Sequence, residues 1–124
     1  MKKLLLGIFL AISMMSFSDD MYDYIEDKLE LKYQEIIDSK NNKLVIDGID
    51  VGRVGERFYL NIEIESYVGN GNWDKFDKND YNKIVNQMAN EIRNYLEIND
   101  NVEVNLIFEN KLSDEKKLLD SRVF

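Results

Sequence analysis

From Phe58 to Glu65 apolar and polar side chains alternate without a break: Phe58, Leu60, Ile62 and Ile64 against Tyr59, Asn61, Glu63 and Glu65. A period of two is the signature of a β-strand with one face buried and one wet. The whole stretch Arg57 to Ser66 therefore reads as a strand of an antiparallel sheet open to solvent on one side. The same pattern returns at Val102, Val104, Leu106 and Phe108, which alternate with Glu103, Asn105, Ile107 and Glu109. Two such strands cannot stand alone, because each has an apolar face that must meet another layer.

That layer is predicted from two helical stripes. Tyr22, Ile25, Leu29, Tyr33, Ile36 and Ile37 fall at helical spacing between Asp19 and about Ser39, with Asp19, Asp20 and Asp23 in the first turns, where the helix dipole favours acids. Tyr81, Ile84, Val85, Met88, Ala89, Ile92, Tyr95 and Leu96 form a stronger stripe that runs to about Glu97. Asp77 is placed to cap this second helix, and Phe76 and Tyr81 occupy the two staple positions around the cap. Between the first helix and the alternating strand, residues Lys43 to Val54 read as another strand, with Asp47-Gly48 as a bulge and Gly52 to Gly55 as the reversal. The expected fold is α+β in the order helix-strand-strand-helix-strand: a three-stranded sheet with both helices packed on one face. The residues from about 111 onward read as a charged, partly ordered tail.

The N-terminus has a different character. Lys2 and Lys3 precede an apolar run from Leu4 to Met15, and Ser16 and Ser18 stand three and one positions before Asp19. This is the pattern of a secretory signal peptide, 1–18, with cleavage after Ser18. The run is shorter than the ~20 residues a spanning helix needs. The expected organisation is a leader followed by one small domain, 19–124, exported to the periplasm or secreted. An uncleaved leader that tethers the domain to a membrane is the alternative. After cleavage no membrane contact is expected.

Composition removes several kinds of chemistry. The 124 residues include no Cys, His or Pro. Thiolate nucleophiles, Ser-His and Cys-His triads and Cys-based zinc sites are excluded. The formal net charge of -8 argues against phosphate backbones and anionic lipid as partners, since cationic side chains carry that affinity. No nucleic acid, cofactor, metal or catalytic residue is expected. An EF-hand reading of Asn70, Asn72 and Asp74 fails, because Lys75 and Tyr81 stand where a glycine and a glutamate are required.

Two constellations remain as candidate binding residues. One is the wet sheet face: Tyr59, Asn61, Glu63 and Glu65 with Glu103 and Asn105. If the strands are neighbours, their carboxylates gather on one surface that suits a cation or a basic protein partner. The other is the loop from Tyr67 through Asn70 and Asn72 to Trp73, whose glycines, amides and aromatic ring suit a sugar or peptide, unless Trp73 closes the core beside Phe76. The leading expectation is a non-catalytic exported interaction module of the bacterial envelope. The alternative is a small carboxylate-dependent hydrolase using Glu63 and Glu65, which stand ~7 Å apart along one strand face.

Overall fold

The computed structural model describes residues 17–66, 70 and 72–124. Helix α1 spans Asp19–Lys32, followed by strands β1 (Glu35–Ile37), β2 (Lys43–Val54) and β3 (Arg57–Ser66). A short 3-10 turn, Trp73–Lys75, leads into helix α2 (Lys78–Leu96), and strands β4 (Val102–Asn110) and β5 (Lys116–Val123) complete the chain. The sheet has five strands in the order β1-β2-β3-β4-β5, all neighbours antiparallel except the parallel pair β3 and β4.

The three-stranded sheet expected from sequence is thus corrected to a five-stranded mixed sheet. Both additional strands lie where the apolar pattern misleads. The first helix stops at Lys32 rather than near Ser39, and Tyr33 leaves helical geometry at φ -119, ψ 72. Ile36 then turns inward from a strand paired to Leu44, so its burial is satisfied without continuing the helix. The hairpin that follows is tied by Asp38. Its carboxylate accepts the backbone N–H groups of Lys40, Asn42 and Asp77 and the side-chain amide of Asn42, at 2.7–2.9 Å. Asn41 supplies the left-handed residue of that turn at φ 66.

The expected charged tail is also corrected, because Lys116–Val123 is an edge strand on β4. A register shift between Leu106 and Ile107 places Asp120 and Leu118 opposite them, leaving Leu119 as the extra residue. That bulge breaks the alternation by which the strand would be recognised. In β2 the register shifts between Ile46 and Gly48, with Asp47 as the bulged residue, and the chain reverses at Gly55-Glu56, with Gly55 at φ 61.

One core joins the layers. Ile25 and Leu29 of α1, Val85, Met88, Ala89 and Ile92 of α2, and the inward residues of β2, β3 and β4 form a single buried cluster. Phe58, Leu60, Ile62, Ile64, Val102, Val104, Leu106 and Phe108 are all buried in it. Helix α1 has a second task. The unpaired edge of β2 beyond β1 exposes the N–H groups of Ile49 and Val51, and Glu30 and Glu26 accept them at 3.2 and 2.8 Å. The helix covers that edge with carboxylates in place of a sixth strand.

Helix α2 starts as its sequence indicates. Asp77 accepts from the N–H groups of Asn79 and Asp80 at 2.9 and 3.0 Å, and the rings of Phe76 and Tyr81 meet edge to face, centroids 6.5 Å apart. Trp73 is buried against Tyr81, centroids 4.7 Å apart. The Tyr81 hydroxyl is buried, with no hydrogen-bond partner among the described residues. Two substitutions separate these contributions. Leu60→Ala should cost about 2–5 kcal/mol, because it opens a cavity beneath the central strands. Tyr81→Phe should leave stability unchanged or raise it by up to about 1 kcal/mol, because it removes only an unpaired hydroxyl. Urea unfolding of both variants checks the contrast.

Candidate functional site

Because β3 and β4 pair in parallel and in register, Tyr59 stands beside Glu103, Asn61 beside Asn105, Glu63 beside Ile107 and Glu65 beside Glu109. All eight side chains are half-buried on the sheet face opposite the helices. The six candidate residues on these two strands are therefore brought together. Strand β5 adds Lys116, Leu118 and Ser121 to the same face, and β2 adds Asp50 beside Asn61. The contribution of β5 has no local signal in the sequence, because Leu119 interrupts its alternation.

The centre of the face is a polar ladder across three strands. The Asn105 side-chain amide donates to Asn61 Oδ1 at 2.9 Å and to Glu103 Oε2 at 3.1 Å, and Ser121 Oγ donates to Asn105 Oδ1 at 2.7 Å. Two shallow depressions flank the ladder and share Asn61, Glu103 and Asn105. The first, about 440 Å³, is completed by Val54, Arg57 and Tyr59. The second, about 510 Å³, is completed by Ile107, Ser121 and the β5 segment from Lys116 to Leu118. Val54 and Leu118 are exposed apolar residues at the two margins. Gly52 lets Tyr59 lie across β2, since a Cβ there would come within 2.4 Å of the phenol oxygen.

Acids crowd one end of this face. Carboxylate oxygens of Asp47, Glu63 and Glu65 lie within 4.8 Å of one another, brought together by the β2 bulge. Lys111 pairs with Glu65, and Lys116 pairs with Glu63 at 3.3 Å. Two of the three carboxylates are thus neutralised from within, which is the arrangement of an ion-pair network rather than of an open set of metal ligands. Hydrogen bonding to Lys111 lowers the Glu65 pKa. Burial and a hydrogen bond with Glu65 raise that of Asp47, and a hydrogen bond with Glu65 raises that of Glu109. Neither of these two depressions is lined by Glu63 or Glu65.

The loop candidates stand at the entry to α2. Trp73 is buried, and Lys78 lies over its ring at 4.1 Å while donating to the carbonyls of Trp73 and Phe76. Asn72 is held at φ 74 and donates to the Lys43 carbonyl at 3.2 Å, and Asn70 donates to Asp74 at 3.3 Å. Tyr67 lies outside the described residues. Of the loop residues named from sequence, Trp73 belongs to the core, and Asn70 and Asn72 shape the approach to α2.

The carboxylates predict a bell-shaped pH dependence of stability. Asp47 and Glu109 hold protons more tightly folded than unfolded, so their contribution is full below their ordinary values near 4 and is lost as pH rises through the raised ones. Burial and Asp50 act on Glu26 in the same direction. At Asp38 burial acts upward, but hydrogen bonds from Asn42 and from three backbone amides outweigh it and bring the pKa to about 2; that contribution is full above pH ~4 and lost as pH falls toward 2. Melting temperature should therefore rise as pH falls through the raised values of Asp47 and Glu109, and fall again as Asp38 and Glu65, both lowered, take up protons. Asp47→Asn combined with Glu109→Gln should make the neutral side shallower, with Glu26 still titrating there, and should weaken the part of the acid side that Glu65 carries, as thermal unfolding followed by circular dichroism would record.

No protein-family model matches the chain, no curated protein matches it, and no solved structure matches it, so the reading of this surface rests on its own geometry.

Proposed function

We propose that this protein is an exported, non-catalytic interaction module that binds a protein partner through the outer face of its sheet. The observation that carries the reading is the pair of adjoining depressions around Asn61, Glu103 and Asn105, with Val54 and Leu118 exposed at their margins. Polar groups with fixed partners next to exposed apolar side chains give a surface that can select a partner and exclude water from part of the contact.

Charge gives the partner its sign. Asp47, Asp50, Glu63, Glu65, Glu103 and Glu109 gather on or beside this face against Arg57, Lys111, Lys116 and Lys117. The excess of acids, on a chain of net charge -8, favours a basic partner and a faster encounter at low salt. Export follows from the sequence pattern of the first eighteen residues alone.

A photo-reactive residue in place of Tyr59, compared with one in place of Lys83 on the helix side, tests the surface in the producing cell. The expected outcome is a discrete cross-linked protein from position 59 and none from position 83. Introducing Glu103→Lys, or raising the salt concentration, should weaken the cross-link several-fold. Adducts from position 83 alone, or a yield from position 59 that ignores both changes, would contradict the proposal.

A further inference from the structure

The first of the two depressions on the outer face has an aromatic wall. Tyr59 reaches across β2 until its phenol stands over Gly52, where a Cβ would come within 2.4 Å of the hydroxyl oxygen and 2.6 Å of Cζ. Gly52 is buried beneath it. The bare backbone of β2 thus supports the ring from below, and the ring forms part of the depression's lining. Val54 adds an exposed apolar margin, and Asn61, Asn105 and the Arg57–Glu103 ion pair complete the wall.

The polar groups around the ring are held in place but not saturated. Asn105 fixes the Asn61 side chain by donating to its Oδ1, while the Asn61 amide itself donates to no group among the described residues. Arg57 directs one Nη at Glu103 Oε1 at 3.3 Å, and Glu103 Oε2 takes the Asn105 amide at 3.1 Å. The guanidinium keeps further donors and the carboxylate further lone pairs. The two charges of that pair cancel, so the lining as a whole is neutral.

These features select a ligand by its chemistry. A purely hydrocarbon group would bury the Asn61 amide and the guanidinium unpaired. An ammonium group only donates, and would leave the same two groups without an acceptor. An anion would meet Glu103 and, beside Tyr59, the charges of Asp50 and Glu26. Hydroxyl groups both donate and accept, and carry no charge. A pyranose ring bears them around its rim and presents C–H groups from one face, which suit the face of an aromatic ring. The volume of about 440 Å³ falls within the ~300–1,000 Å³ of small-molecule sites.

The geometry points to a saccharide site: the first depression binds an uncharged pyranose unit of a glycan, stacked on Tyr59 and hydrogen-bonded to Asn61, Arg57 and Glu103. This goes beyond the protein contact proposed above and shares only its surface.

Nuclear magnetic resonance titration of the isotope-labelled protein, expressed from the full chain, tests the assignment. The probes are the methyl glycosides of glucose, galactose, mannose and N-acetylglucosamine, with glucuronic acid as the charged comparison. At least one neutral sugar should shift the Asn61 side-chain amide and Tyr59 ring signals saturably, and glucuronic acid should not. Tyr59→Ala should weaken that binding roughly tenfold and Asn61→Ala roughly fivefold. Gly52→Ala keeps every lining side chain but displaces the ring, and should match Tyr59→Ala. Tyr59→Phe keeps the ring and should lose no more than Asn61→Ala. The backbone amide spectra of the same samples show that each variant is folded. No shift of Asn61 or Tyr59 with any neutral sugar at tens of millimolar would overturn the assignment. Binding that survives both Tyr59→Ala and Gly52→Ala undiminished would overturn it too. Neither result bears on the protein contact, which is judged by the cross-link from position 59.

Discussion

Everything in this molecule is organised around the parallel pairing of β3 and β4. Leu60 and Ile62 on one strand, and Val102, Val104 and Leu106 on the other, have no exposed surface. The pairing runs from Phe58 beside Val102 to Ser66 beside Asn110 without a shift. Because strand side chains alternate strictly, burying one set fixes the other set on the opposite face. A slip of one residue in β3 would turn Glu63 into the core, and a slip in β4 would turn Glu103 there. The register that holds the protein together is thus the register that assembles Asn61, Asn105 and Glu103 on the outside.

The two sides of the sheet are finished differently. The inner side is roofed by α1 and α2, which are joined to each other where Lys32 and Tyr33 donate to Glu91. The outer side carries Tyr59, Ile107 and the asparagine ladder, bordered by ion pairs. The edges are also unequal. At β2, glutamates from α1 accept the free N–H groups, whereas β5 closes the other edge with a bulged strand carrying Lys116, Lys117 and Arg122. Charge and irregularity on an edge discourage further strand addition. They leave the outer face, rather than an edge, as the surface that presents itself.

What could be read from sequence follows from how local each signal is. Strand β3 and helix α2 are legible because their periods are unbroken over eight residues or more, and β4 because Ile107 is the one departure from its alternation; period two then assigns Tyr59, Asn61, Glu103 and Asn105 to the wet face. Strand β1 was hidden because Ile36 and Ile37 fit the helical stripe of Tyr22, Ile25, Leu29 and Tyr33 equally well. The decision between helix and strand there lies in the pairing of Ile36 with Leu44, which is not a local property. Strand β5 was hidden because Leu119 interrupts its alternation and its flanks are charged. The contacts of Lys111 and Lys116 with Glu65 and Glu63 depend on that unseen strand and on the bulge at Asp47. The approach of those carboxylates to one another was therefore beyond a reading of the chain.

The central claim is that the outer sheet face, and not the helical side, meets the partner. Carboxyl labelling of the native protein, in the cell and after purification, compares the two sides directly, because Glu103 and Asp50 report on the sheet while Asp23 and Glu97 report on the helical side. The account predicts that Glu103 and Asp50 are labelled after purification and protected in the cell, with Asp23 and Glu97 reacting alike in both. Protection of Asp23 and Glu97, with Glu103 and Asp50 equally reactive in both settings, would contradict it.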